Sequence, residues 1–185
     1  MAVENIILGI DPGTTVMGFG LIRVNGDNIE LISLEELHLQ KLPSHQLKLK
    51  RIFEKTLSLI QHYKPTELAI EAPFFGINPQ SILKLGRAQG VAIAAGLYSG
   101  IPIIEYSPRK IKAAITGRGG ASKEQVAKTL QHMLGIKELP KKLDSTDGLA
   151  VAVCHCFQSK KNYVSQERGY SSWEAFVKNN TDRLA

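Results

Sequence analysis

Residues 5–11, NIILGID, form an apolar run that ends on a carboxylate and is followed by the turn formers Pro12 and Gly13, which predicts a buried strand. Two further strands are expected over Gly18 to Val24 and Ile29 to Leu39. The intervening Asn25-Gly26-Asp27 is a hairpin turn, so three antiparallel strands open the fold. Ser44 is placed to cap a helix running to Tyr63, where Leu47, Ile52, Leu59 and Ile60 recur at near-helical spacing and Pro65 stands just beyond the end. A strand over Glu67 to Glu71 follows. A helix rich in small residues is then expected from about Gln80 to Tyr98, and a strand near Ile101 to Tyr106. Two helical stretches flank Gly117-Arg118-Gly119-Gly120, and a last helix spans about Ser145 to Gln158. Three strands followed by helices alternating with two more strands make an α/β protein, with a five-stranded mixed sheet (three antiparallel strands, then two parallel) flanked by helices.

The 185 residues suit one domain with a single core, and 43% hydrophobic against 22% charged residues is the balance of a globular chain. The expected division is a body over residues 1–158 and a polar tail over 159–185, where Trp173 and Phe176 either pack on the body or lie free. No apolar run reaches the ~18 residues that cross a bilayer. The start MAVENIILGID lacks the basic opening and small-residue cleavage site of a signal peptide, so a cytoplasmic location is expected. Cys154 and Cys156 flank His155 in a helical stretch and point to different faces, so they are expected as buried small residues rather than as a disulfide or a metal site.

The net charge of +6 is concentrated. Residues 1–104 and 143–185 are each balanced, whereas Glu105 to Lys142 carry nine basic residues against three acidic ones. That segment contains Arg109, Lys110, Lys112, Arg118, Lys123 and Lys128, and it reads either as a polyanion footprint or as a solvated helical face.

The carboxylates decide between them. Asp11 and Glu71 each close an apolar strand, and if those strands are neighbours both acids emerge at one sheet edge, where their repulsion calls for a cation or a proton. Asp144 and Asp147 lie three apart, on one face of a helix beginning there. For that pair an N-cap with a second acid near the positive end of the helix dipole is the competing reading. Four acids at one edge make an all-oxygen site suited to Mg²⁺ or Mn²⁺, and two such ions can hold an attacking water and a leaving oxygen for phosphodiester cleavage. Gly9-Ile10-Asp11-Pro12-Gly13-Thr14-Thr15 also resembles the first phosphate loop of actin-like ATPases and sugar kinases, but 185 residues leave no room for the second lobe that those proteins need.

Five segments in order resemble the RuvC family of bacterial Holliday junction resolvases: IILGIDPGTTVMGFGLI, LAIEAPFF at 68–75, SILKLGRAQGVAIAAG at 81–96, EYSPRKIKAAITGRGGASKEQV at 105–126 and DSTDGLAVAVCHC at 144–156. The resemblance covers about residues 5–158 and implies a ribonuclease-H-like fold, a homodimer, and Mg²⁺-dependent symmetric nicking of four-way DNA junctions in recombination and repair. It also implies the branch-migration helicase complex RuvA-RuvB as a partner. The family's catalytic, metal-binding carboxylates fall on Asp11, Glu71, Asp144 and Asp147 with no departure. The aromatic that stacks on a base falls on Phe74, with Phe75 the better core candidate. The lysines near the scissile phosphate fall on Lys112 and Lys123, and Arg87 and Arg118 are candidate backbone contacts. A related nuclease acting on RNA or flaps is the alternative. A non-catalytic junction binder would gain nothing from four acids facing phosphates.

The helix from Gln80 to Tyr98 is the expected dimer contact. Ile82, Leu83, Leu85, Val91, Ile93 and Leu97 spread around its circumference, with Gly86, Gly90 and Ala94 four apart. Otherwise the last helix and Phe75 cover its second face within one chain.

Overall fold

The computed structural model describes residues 5–73, 78–138 and 143–167, with side chains in the last segment as far as Ser159. Strands β1 (Asn5–Asp11), β2 (Val16–Asn25) and β3 (Asn28–His38) form an antiparallel meander, and Gly26 at φ +57° supplies the left-handed position of the tight turn between the last two. Helix α1 (His45–Tyr63) starts at Ser44, whose hydroxyl accepts from the Leu47 amide. Strand β4 (Glu67–Glu71), helix α2 (Pro79–Tyr98) and strand β5 (Ile103–Tyr106) follow, then α3 (Pro108–Thr116), α4 (Lys123–Leu134) and α5 (Asp144–Glu167). The sheet order is β3-β2-β1-β4-β5, with β4 and β5 parallel to β1. This is the expected five-stranded mixed sheet.

Both faces are covered. Ile7, Ile22, Ala69 and Tyr106 pack with α3, α4 and α5, whereas Leu8, Ile10, Phe19, Leu68 and Ile70 pack with α1 and α2. Since side chains alternate along a strand, Gly9 and Asp11 share the α5 face with Ile7, and Glu67 and Glu71 share it with Ala69.

Several boundaries differ from expectation, among them the start of β2, at Val16 rather than Gly18. Helix α5 continues nine residues past Gln158, because no Gly or Pro interrupts Ser159 to Glu167. Strand β5 begins at Ile103 rather than Ile101, since Pro102 has no amide to donate and contributes only its carbonyl to Leu68 N, at 3.0 Å. Cys154 and Cys156 are buried in the α5 core as expected. Among the described residues no helix is long and apolar enough to cross a membrane.

Helix α5 lies across the sheet from α2 and cannot cover it. Helix α2 packs on α1, with Tyr98 and Phe53 rings 6.3 Å apart, and leaves Leu83 and Leu97 each 63% exposed.

Candidate active site

The register Ile10↔Ile70 brings Asp11 and Glu71, one residue further on, side by side at the carboxyl edge of the parallel strands. Alternation turns both toward α5. The start of α5 is brought down onto them by glycines. A Cβ on Gly9 would stand 2.2 Å from the Gly148 carbonyl oxygen, one on Gly18 1.9 Å from that of Asp144, and one on Gly20 2.4 Å from Leu149 Cα. Strands β1 and β2 therefore offer bare backbone on which the first turns of α5 sit. No side chain of ordinary size fits between them.

Asp147 N–H donates to the Leu143 carbonyl at 3.1 Å, so Leu143 is the cap residue and Asp144 the first residue inside the helix. The reading of Asp144 as an N-cap is thereby corrected. Asp144 and Asp147 share the first turn, and Asp147 points at the strand-end acids.

Asp11, Glu71 and Asp147 line one cavity of about 240 Å³, together with Lys112, Lys123 and an apolar wall that includes Ile111 and Val126. Asp144 does not line it, but its field reaches Asp11 and Asp147. Lys112 comes from α3, and Lys123 opens α4 directly after a capping box between Ser122 and Gln125. The Lys123 ammonium bonds Asp147 Oδ2 at 2.5 Å, with its own side chain 57% exposed.

Electrostatics register the crowding. Burial, and then repulsion from Glu71 and Asp147, raises the Asp11 carboxyl well above its ordinary value against the pull of Lys123. Burial followed by Asp147 raises Glu71 to about 7, with Lys123 and Lys112 opposing. Asp147 is raised by burial despite its bond to Lys123. Partial burial would lower the Lys123 ammonium, but its bond to Asp147 and the fields of the acids raise it.

Among the described residues no three ligating groups close into a finished metal cage. The donor set nevertheless fits a hard divalent cation: it is all carboxylate oxygen, and it is held together at an electrostatic cost that such a cation relieves. Arg87 lies on the α1/α2 side of the sheet, where its charge acts on His45, and Arg118 is exposed in the turn between α3 and α4. Neither lines the cavity. Phe74 and Phe75 lie outside the described residues. The glycine seat was missed in the sequence, where its only trace is glycine at alternate positions of two apolar strands.

The family model described as crossover junction endodeoxyribonuclease RuvC matches residues 7–155. The chain is 60% identical over 181 residues to crossover junction endodeoxyribonuclease RuvC of Christiangramia forsetii, covering 98% of this chain and 93% of that one. It is 56% identical over 183 residues to the protein of that name from Bacteroides fragilis, covering 98% and 96%. The fold superposes with a TM-score of 0.80 and 31% identity on T. thermophilus RuvC in complex with Holliday junction substrate, covering 85% of this chain and 96% of that one.

Proposed function

The chain belongs to the RuvC family of crossover junction endodeoxyribonucleases, and from that premise we propose that it resolves Holliday junctions with Asp11, Glu71, Asp144 and Asp147 as its catalytic carboxylates. The observation that carries the site reading is the convergence of three of these acids, from two strands and a helix, in one cavity that Lys112 and Lys123 also line. Such a cavity can accept one backbone phosphate between acids and ammonium groups.

The proposed cofactor is Mg²⁺ or Mn²⁺, as two ions held by the four carboxylates. When bound, the ions lower the pKa of a water so that it can attack phosphorus, and they stabilise the leaving oxygen. The remaining work belongs to the chain. Asp11 and Glu71, fixed at the ends of paired strands, hold their oxygens without a search of conformations. Lys112 and Lys123 offset charge as it develops on the phosphate. Without a cation, burial and then Asp147 hold Glu71 up at about 7, a cost that a bound cation would relieve. We further propose that Phe74 stacks on an opened base and that Arg87 and Arg118 hold more distant backbone. Assembly is proposed as a homodimer through α2, whose exposed Leu83, Gly90, Ala94 and Leu97 form one stripe, in a bacterial cytoplasm that also supplies the RuvA-RuvB helicase.

The test is incubation with Mg²⁺ of a synthetic four-way junction, a matched duplex and an RNA/DNA hybrid. The junction alone should be nicked, symmetrically. Asn at Asp11, Asp144 or Asp147, or Gln at Glu71, should abolish nicking and leave junction binding intact or stronger, because loss of a negative charge cannot weaken attraction to phosphate. A variant that still cuts normally removes its residue from the site.

A further inference from the structure

A polar chain runs from buried Tyr106 and His155 to Glu67, at the end of β4 opposite Glu71. Tyr106 and His155 are 5% and 4% exposed. Tyr106 Oη and His155 Nδ1 are 2.8 Å apart, and His155 Nε2 lies 2.9 Å from Glu67 Oε2. Asn5 Nδ2 donates to the same Glu67 oxygen at 3.3 Å, and Thr66 Oγ1 in turn donates to Asn5 Oδ1. A carboxylate oxygen only accepts, so Nε2 carries the hydrogen. The phenol keeps its own, since burial first and then nearby Cys154 and Glu67 push it up to about 12, and its oxygen shares a hydrogen bond with Nδ1.

Each group sits on an element that carries or borders an acid. His155 follows Asp147 on α5 by two turns, roughly 12 Å along the axis. Glu67 and Glu71 are the two ends of β4, on the same face. Tyr106 pairs with Glu71 in the β4/β5 register, and its carbonyl accepts from Ala72 N at 2.8 Å. The glycine seat fixes how near α5 comes to β1 and β2, and buried Leu149, Val151 and Val153 pack the helix on the sheet. Directional bonds add a restraint on register that apolar packing alone specifies less closely. Neither Tyr106 nor His155 lines the cavity.

We propose that Tyr106, His155 and Glu67 form a positioning relay that holds α5 in register against β4 and β5, so that Asp147 meets Asp11 and Glu71 at the spacing the reaction requires. The inference depends on the assignment of those acids as the nuclease site.

The test uses full-length Tyr106→Phe, which removes the hydroxyl and keeps the ring, with Glu67→Leu and Glu67→Gln. In Tyr106→Phe the single-turnover cleavage rate at saturating junction should fall about tenfold while junction Kd stays within about twofold, the split expected of a misplaced reacting group. Without DNA, the Mn²⁺ concentration giving half of the metal-induced rise in thermal midpoint should increase about tenfold, the lower end of the range seen when partners behind metal ligands are lost. Glu67→Leu should match Tyr106→Phe, and the double variant should lose little more, because both act through His155. Glu67→Gln keeps an acceptor for Nε2–H and should recover most of the rate. A lowered thermal midpoint with unchanged rate and unchanged Mn²⁺ titration overturns the relay and leaves the chain as core structure. Wild type and Asp147→Asn run alongside: if wild type fails to cut, or Asp147→Asn cuts, the site assignment fails, whereas the expected pair of controls leaves Tyr106→Phe to decide the relay alone.

Discussion

Gly18→Ala adds one methyl group at the contact between β2 and α5. The new Cβ would lie 1.9 Å from the Asp144 carbonyl oxygen and 2.8 Å from the Asp144 carbonyl carbon, all of it backbone that cannot rotate aside. A carbon and a carbonyl oxygen settle at about 3.3 Å or more, so the start of α5 must retreat by roughly 1.4 Å. That turn carries Asp144 and Asp147, whereas Asp11 and Glu71 stay with the sheet. A misplacement of about 1 Å costs on the order of 100-fold in rate, and overpacking of this kind costs about 1–3 kcal/mol. Against a total stability of about 5–15 kcal/mol the variant remains folded. Single-turnover cleavage at saturating junction should therefore fall about 100-fold. Junction affinity should hold within about threefold, because the lysines sit on other helices, and the thermal midpoint should drop by roughly 2–12 °C. Gly120→Ala is the control, since a Cβ there meets nothing within 4 Å. If Gly18→Ala cuts at the wild-type rate while folded, the seat does not set the spacing of the acids.

Three further outcomes are expected. In divalent-free buffer the thermal midpoint should fall as pH rises from about 4.5 through about 7, since the folded state raises Glu71 to about 7 from its ordinary 4.5 and so holds a proton that the unfolded chain releases; a calorimetric series should show this slope flattened in Glu71→Gln, and a flat wild-type profile contradicts the crowding. Lys112→Ala and Lys123→Ala should each cut cleavage strongly and reduce the salt slope of junction binding, read by anisotropy, by about one phosphate. Light scattering at micromolar concentration should give a dimer that Gly90→Glu splits, and a monomeric wild type that cuts both strands in one binding event would refute assembly through α2.

Much of this frame was legible because period-two and period-3.6 patterns were interrupted by residues with one local meaning. Ser44 before an apolar helix and Gly26 in a hairpin turn are such residues. Asp11 and Glu71 could be placed together because each ends an apolar strand. Adjacency of β1 and β4 then does the rest. The end of α5 was not legible, since a polar helix without breakers reads like a tail. The glycine seat was not legible either. A glycine in a strand marks close approach only once the approaching element is known, and α5 lies more than 120 residues further along the chain. Tyr106 and His155 failed for a similar reason: 49 residues separate them, and neither carries a local signal that it is paired. The basic segment stands out in the sequence as a unit, but the fold does not gather its charges at one place. Lys112 and Lys123 face the cavity, and Arg118 faces solvent.

The site divides its groups by how firmly each must be held. Asp11 and Glu71 are set by paired strands, and Asp144 and Asp147 by a helix pressed backbone to backbone on the sheet. Burial first, and then the like charges that rigid placement keeps together, push three of the four acids toward the neutral form. The lysines are held differently. Lys123 bonds Asp147 with its own side chain 57% exposed, whereas Asp147 is only 14% exposed. The ammonium therefore reaches water and an incoming phosphate from the side away from the acid, while its bond offsets the charge of a largely buried carboxylate. Fixed acids beside the exposed Lys123 suit the proposed reaction, in which the oxygens around phosphorus must be aligned closely while the polyanion arrives in many orientations. In the same reading a chain of net charge +6 keeps a concentrated negative centre beside two lysines, where the proposed junction phosphate would sit.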